Sequence, residues 1–114
     1  MELIKLSDKK VWKELIKNSS NNNELIIYKH SPICGLSQLA ENILDKWCKA
    51  YSDNNQIKII KVDVVFSKSL SRRIAKDLKI VHESPQIIWL DKQKKVKFQA
   101  SHYDITEEEL NKHL

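Results

Sequence analysis

Apolar residues along this chain recur with two different periods, and the switches between them mark its elements. "ELIK" at residues 2–5 reads as a short strand. Residues 7–18, "SDKKVWKELIKN", place Val11, Trp12, Leu15 and Ile16 on one helical face, with Ser7 or Asp8 as N-cap. "ELIIYKH" at 24–30 is a strand by its β-branched and aromatic content. Over residues 35–51 the positions Leu36, Leu39, Ala40, Ile43, Leu44, Trp47, Cys48 and Tyr51 recur at steps of three, four and one, a single apolar stripe over four helical turns or more. The near-continuous apolar run "IKIIKVDVV" at 57–65 reads as a strand buried on both faces, and "SKSLSRRIAKDLK" at 67–79 as a helix capped by Ser67. "QIIWLD" and "KVKFQA" form an antiparallel pair across a lysine-rich turn, and Thr106 with Glu109 makes the S/T-x-x-E capping box that opens a last helix over 106–113. The order is β-α-β-α-β-α-β-β-α. It predicts one α/β domain over residues 1–114, a central mixed sheet with helices on both faces and an antiparallel edge. Ligands of such sheets bind beyond the carboxyl ends of the strands.

Composition narrows the function classes. The 114 residues, 41% of them hydrophobic, suit a single modest core. The longest apolar runs, "LIIY" and "IIWL", are far short of a membrane span, and "MELIKLSDKK" lacks the apolar centre of a secretory signal, so a soluble, cytoplasmic protein is expected. A net charge of +5 raises nucleic-acid binding. The lysines are scattered, however, and the densest run, "KQKKVK" at 92–97, has no interleaved aromatic to stack on bases. It reads as a solvated hairpin turn, "NSSNNN" at 18–23 reads as a polar loop, and no nucleic-acid partner is expected.

The chemistry concentrates at "YKHSPICGLSQLAEN", where strand gives way to helix. Cys34 stands at that junction. The first turn of a helix leaves backbone N–H groups unpaired and its dipole adds about half a positive charge, both favouring thiolate over thiol; cysteines so placed have pKa values lowered to roughly 3.5–7.5. Lys29 and His30 are candidates to add positive potential, and Gly35 leaves room for a partner disulfide to approach. The alternative is a buried, inert cysteine at a helix start. Cys48 lies on the apolar stripe of the same helix, fourteen residues on, or about 20 Å at ~1.5 Å per residue. A disulfide needs α-carbons within roughly 7 Å, so Cys48 reads as a buried hydrophobe and Cys34 has no resolving partner in the chain. Where a dithiol protein would carry its second cysteine stands Ser37.

Ser84 and Pro85 immediately precede a strand, 51 residues after Cys34. A cysteine at the start of the second helix and a proline at the start of the fourth strand resemble the layout of the thioredoxin fold. More closely, "KHSPICGLS", "HESPQ" and "ASHYDIT" resemble, in order and spacing, the monothiol bacilliredoxins of the YtxJ type; Cys-Gly-Leu-Ser here replaces that family's more usual Cys-Pro-Ile-Ser. The resemblance implies a cis Ser84–Pro85 bond lying against the active cysteine. It implies a Cys-x-x-Ser active-site motif, Cys34-Gly35-Leu36-Ser37, with Cys34 as nucleophile, and a substrate groove formed with Ser84, Pro85, Ser101 and His102. It also implies thiol–disulfide exchange on bacillithiolated client proteins, with bacillithiol as co-substrate, no bound metal or cofactor, and a monomer. Tyr28 fits the same picture: thioredoxins have a buried acid at the matching place, used with their second cysteine. Bacillithiol bears malate carboxylates, for which Lys29, His30 and His102 are candidate cations; a plain surface or supporting role is the other reading of each, and the favoured one for His82. Two readings from other classes stay open: a redox-inactive binding module with the same fold, and a monothiol glutaredoxin-like iron–sulfur carrier.

Overall fold

In the computed structural model, which describes residues 3–17, 23–51, 53–54 and 56–114, the nine elements occur in the expected order: β1 (Leu3–Lys5), α1 (Lys9–Lys17), β2 (Glu24–His30), α2 (Gly35–Ala50), β3 (Ile57–Asp63), α3 (Lys68–Leu78), β4 (Gln86–Leu90), β5 (Val96–Ser101) and α4 (Glu107–Lys112). A 3₁₀ turn at His102–Asp104, which the apolar pattern does not announce, joins β5 to α4. The sheet order is β1-β3-β2-β4-β5. β1, β3 and β2 run parallel; β4 is antiparallel to β2, and β5 to β4. The carboxyl ends of β2, β3 and β5 and the amino end of β4 therefore share one edge of the sheet.

Side-chain alternation along the central strands builds two cores. Ile26 and Tyr28 of β2, with Ile59, Ile87 and Trp89, pack against Ala40, Leu44 and Trp47 of α2 and Leu110 of α4. Leu25 and Ile27, with Ile60, Val62 and Ile88, face Trp12 of α1 and Leu70 and Ile74 of α3. A strand with helices on both sides must be apolar at consecutive positions, which is why "LIIY" and "IIWL" do not alternate.

The structure corrects the expected elements in detail. β3 stops at Asp63 because that carboxylate accepts the N–H groups of Val65 and Phe66, both at 2.9 Å, and turns the chain. Val65 is thus exposed, not in a strand. Val11 and Leu39, expected on buried faces, are 41% and 51% exposed: each sits at the margin of a stripe whose centre, Trp12 or Ala40, takes the contact. Asp8 rather than Ser7 supplies the first bond of α1, its carboxylate accepting from Lys10 N–H at 2.8 Å. Ser67 occupies the N-cap position of α3 without a side-chain cap bond, whereas Thr106 does cap α4 through Glu109 N–H at 3.2 Å. The lysine turn is set by Asp91, which accepts from the N–H groups of Gln93 and Lys95 at 2.9 Å each, and by Lys94 at φ 64°. The loop expected at 18–23, Glu2 of the first strand and Asn18 of the first helix lie outside the described residues, apart from Asn23.

Candidate active site

Cys34 is the N-cap residue of α2, in extended backbone at φ −111° and ψ 120°. Its carbonyl accepts from the N–H groups of Ser37 and Gln38 at 3.1 and 3.3 Å, and its own N–H donates to Ser31 O at 3.3 Å. The side chain is only partly covered. The backbone N–H groups of Ser37 and Leu36, close to the sulfur, lower the thiol pKa from its ordinary value; burial opposes them and the Ser37 side chain adds to them. The lowering thus comes chiefly from amides in the first turn of the helix, as its position dictates. A Cβ at Gly35 would meet nothing within 4 Å, so neither crowding nor backbone conformation demands glycine, and the approach to the sulfur is open on that side.

Beneath the thiol lies a buried polar layer. Ser37 is fully buried, and its Oγ accepts from Ser31 N–H at 3.2 Å. Its carbonyl accepts from the Tyr28 phenol at 2.7 Å, and the phenol also meets His30 Nδ1 at 2.8 Å. Glu41, from the second turn of α2, lies 3.9 Å from His30 Nδ1 and is hydrogen-bonded to the Lys61 ammonium. Burial lowers the His30 pKa, and Lys61 adds to that, against the opposing carboxylates of Glu41 and Asp63.

The second wall is the corner before β4. The Ser84–Pro85 peptide bond is cis, and Pro85 is buried. Gln86 pairs with Ser101 across β4 and β5, and His102, at φ 54°, donates its N–H to Pro85 O at 3.0 Å. Ser84, Pro85, Ser101 and His102 are thereby brought together at the sheet edge beyond which Cys34 stands. Among the described residues, Ser84 Oγ is the one buried side-chain polar atom without a hydrogen-bond partner. The loop leading to it is held by Gln86, whose amide accepts from Glu83 N–H at 3.2 Å and donates to Val81 O at 3.1 Å.

Lys29 corrects an expectation. Strand alternation turns it away from the α2 face that carries His30, and its fully buried ammonium donates to Ser71 O in α3 and to His82 Nδ1, each at 3.0 Å. It supports the loop before Pro85 from the other side of the sheet and is not among the groups acting on the Cys34 sulfur. Burial pulls its pKa down to about 8. His82, expected in a surface or supporting role, is exposed as a residue and turns Nδ1 inward to Lys29 and Ser71. His30 reaches Tyr28 rather than solvent, so neither residue presents a free cation to a ligand; His102 alone of the three candidates is exposed.

Four large apolar side chains stand out at the same edge: Ile33 at 86% exposure, Phe66 at 83%, Val81 at 82% and Tyr103 at 79%. They come from four segments, one beside Cys34 and the others following β3, preceding β4 and following β5. Periodicity could not find them, because they lie in loops. The polar residues Tyr28, Glu41, Lys61 and Gln86 left only a faint signal, a polar group inside or beside an otherwise apolar element.

Comparison with known proteins bears on this geometry. Residues 4–110 match the family model described as "Monothiol bacilliredoxin BrxC". A solved structure provisionally described as an oxidoreductase with a thioredoxin fold is 25% identical, with a TM-score of 0.82, covering 96% of this chain and 91% of that one. Thioredoxin NaTrxh from Nicotiana alata is 17% identical, with a TM-score of 0.72 over 97% and 88% of the two chains. Thioredoxin O2 from Arabidopsis thaliana, in its oxidised state, is also 17% identical, with a TM-score of 0.73 over 97% and 90%. The architecture is the thioredoxin fold.

Proposed function

The chain belongs to the monothiol bacilliredoxin family, and from that premise we propose that it removes bacillithiol from protein mixed disulfides through Cys34 alone. The observation that carries this reading is the pairing of a thiol favoured as thiolate at the N-cap of α2 with Ser37, and not a second cysteine, three residues on. Cys34 Sγ attacks the bacillithiol sulfur of the client mixed disulfide. The Sγ–S bond to bacillithiol forms, the client S–S bond breaks, and the client thiolate leaves and takes a proton from water. A second low-molecular-weight thiolate then attacks the bacillithiol sulfur held on Cys34, giving a small-molecule disulfide and restoring the Cys34 thiolate.

Ser37 has no sulfur with which to resolve the intermediate. Cys48 is buried and lies on the same unbroken helix, about 20 Å along its axis. Both facts favour the two-step monothiol route. The client would lie as an extended segment against the Ser84–Pro85 corner, with Ser84 and Ser101 offering polar edge groups and Ile33, Phe66, Val81 and Tyr103 meeting its apolar side chains. The exposed His102 is the candidate for the malate carboxylates. The reaction suits the reducing cytoplasm and needs one copy of the chain, no metal and no bound cofactor.

The test is a peptide carrying a bacillithiol mixed disulfide, incubated with wild type or Cys34→Ser and followed by chromatography of the freed peptide thiol. The wild type releases one equivalent without added thiol and turns over when bacillithiol is supplied; Cys34→Ser releases none. No release by the wild type, or equal release by both proteins, overturns the proposal.

A further inference from the structure

The Tyr28 phenol has two polar neighbours and one proton. The Ser37 carbonyl, 2.7 Å away, can only accept, so the proton points there. His30 Nδ1, at 2.8 Å, must then carry its own proton and donate to the phenol oxygen, which assigns the His30 tautomer. The Ser37 hydroxyl is constrained in the same way. Its oxygen accepts Ser31 N–H at 3.2 Å, which leaves its own proton to be donated, and the Ser37 side chain is among the groups that lower the Cys34 pKa.

We propose that Tyr28, oriented by His30, is a positioning residue for the nucleophile: it clamps the Ser37 turn so that the Ser37 hydroxyl and the Ser37 and Leu36 amides converge on Cys34 Sγ. The observed bonds run from His30 Nδ1–H to Tyr28 Oη and from Tyr28 O–H to Ser37 O; the proposed last link is from Ser37 O–H to Cys34 Sγ. A phenol suits the central place. Burial, and then the charges of Glu41, Asp45 and Cys34, push its pKa far up, so it remains a donor throughout the range in which Cys34 titrates. A carboxylate there would have no proton to give a carbonyl, and its charge would oppose the thiolate. His30 is faced by Lys61, Glu41 and Asp63, and Lys61 is itself engaged by Glu41.

This inference deepens the reading of Cys34 as nucleophile, but its test needs neither bacillithiol nor client. The rate of Cys34 alkylation by iodoacetamide is measured against pH for wild type, Tyr28→Phe, Ser37→Ala, the double variant, His30→Asn and His30→Leu, with thermal melts alongside. Tyr28→Phe and Ser37→Ala should each raise the midpoint by about half a pH unit or more. The double variant should move little beyond the larger single shift, because both act on one path. Asn at position 30 keeps an N–H near the place of Nδ1 and should titrate close to wild type, whereas Leu, equally uncharged, should not. A Tyr28→Phe midpoint equal to wild type, whatever its melting temperature, overturns the proposal, as do fully additive shifts. Should Tyr28→Phe fail to fold, identical midpoints for His30→Asn and His30→Leu overturn it instead. Shifted midpoints in a protein that ignores bacillithiol would sink the proposed substrate and leave this inference standing.

Discussion

Cys34 and Cys48 carry the same side chain and are held in opposite chemical states by their surroundings. Cys34 sits at the N-cap of α2, where the first-turn backbone amides stabilise its thiolate. Cys48 lies in the core beside Ala40, Leu44 and Trp47; burial, and then Asp45, push its pKa up to about 11. At pH 7 only about one part in ten thousand of such a thiol is ionised. Alkylation of the native protein at pH 7 should therefore add one label, lost in Cys34→Ser and retained in Cys48→Ser; mass spectrometry showing equal labelling of the two cysteines would contradict this. Because the amides dominate, Lys29→Gln should leave the Cys34 midpoint within a few tenths of a pH unit, and a rise of a unit or more would restore a role for the lysine. The sequence made the contrast between the cysteines legible, since one opens a helix just after a strand and the other falls on an apolar stripe. It did not separate Lys29 from His30, which are neighbours in the chain but on opposite faces of β2. Nor did it reveal that His30 acts on Tyr28, because a bond between i and i+2 on one strand face depends on ring rotamers that periodicity does not encode.

At the scale of elements, the loop before β4 is tied to both central strands by polar side chains within an apolar sheet. Lys29 reaches it from β2 and Gln86 from β4. Burying Lys29 disfavours its charged form, lowering its pKa from 10.5 to about 8. The unfolded chain then binds more protons than the folded one between those values, so this group makes stability rise as pH climbs through that window, by about 3 kcal/mol in all. Tyr28 works in the opposite direction above pH 10, where the unfolded phenol ionises and the buried one does not. Urea unfolding of wild type and Lys29→Met at pH 7.5 and pH 10 isolates the lysine, since both proteins share Tyr28. The wild type should gain about 2–3 kcal/mol relative to the variant between the two values; a constant difference would mean that Lys29 is not held in a desolvated site. Element types and order were readable because short, continuous β-branched apolar runs differ sharply from the longer stripes of period 3.6. Element ends were less so. The stop of β3 depends on the Asp63 carboxylate folding back on two amides, and the 3₁₀ turn at His102–Asp104 is too short to show a period.

The whole molecule places its chemistry at one edge of the sheet. There, Cys34, the cis Ser84–Pro85 corner, His102 and the four exposed apolar side chains are drawn from segments spread over about seventy residues of sequence, from Ile33 to Tyr103. Parallel β2 and β3 end together, and antiparallel β4 begins and β5 ends at the same level, so the topology alone assembles the edge. The three motifs "KHSPICGLS", "HESPQ" and "ASHYDIT" were legible because each occupies one of these strand ends. The apolar rim was not, because isolated exposed residues in loops carry no pattern until the strands are paired. Under the proposed function, one thiol takes up bacillithiol and keeps it until a second thiol arrives. Intact-mass spectrometry of the wild type and Cys34→Ser after incubation with oxidised bacillithiol tests it most directly. The account predicts a single bacillithiol adduct on the wild type, stable until a small thiol is added and absent from Cys34→Ser. An unmodified wild type, or one that has lost two hydrogens to an internal disulfide, would contradict it.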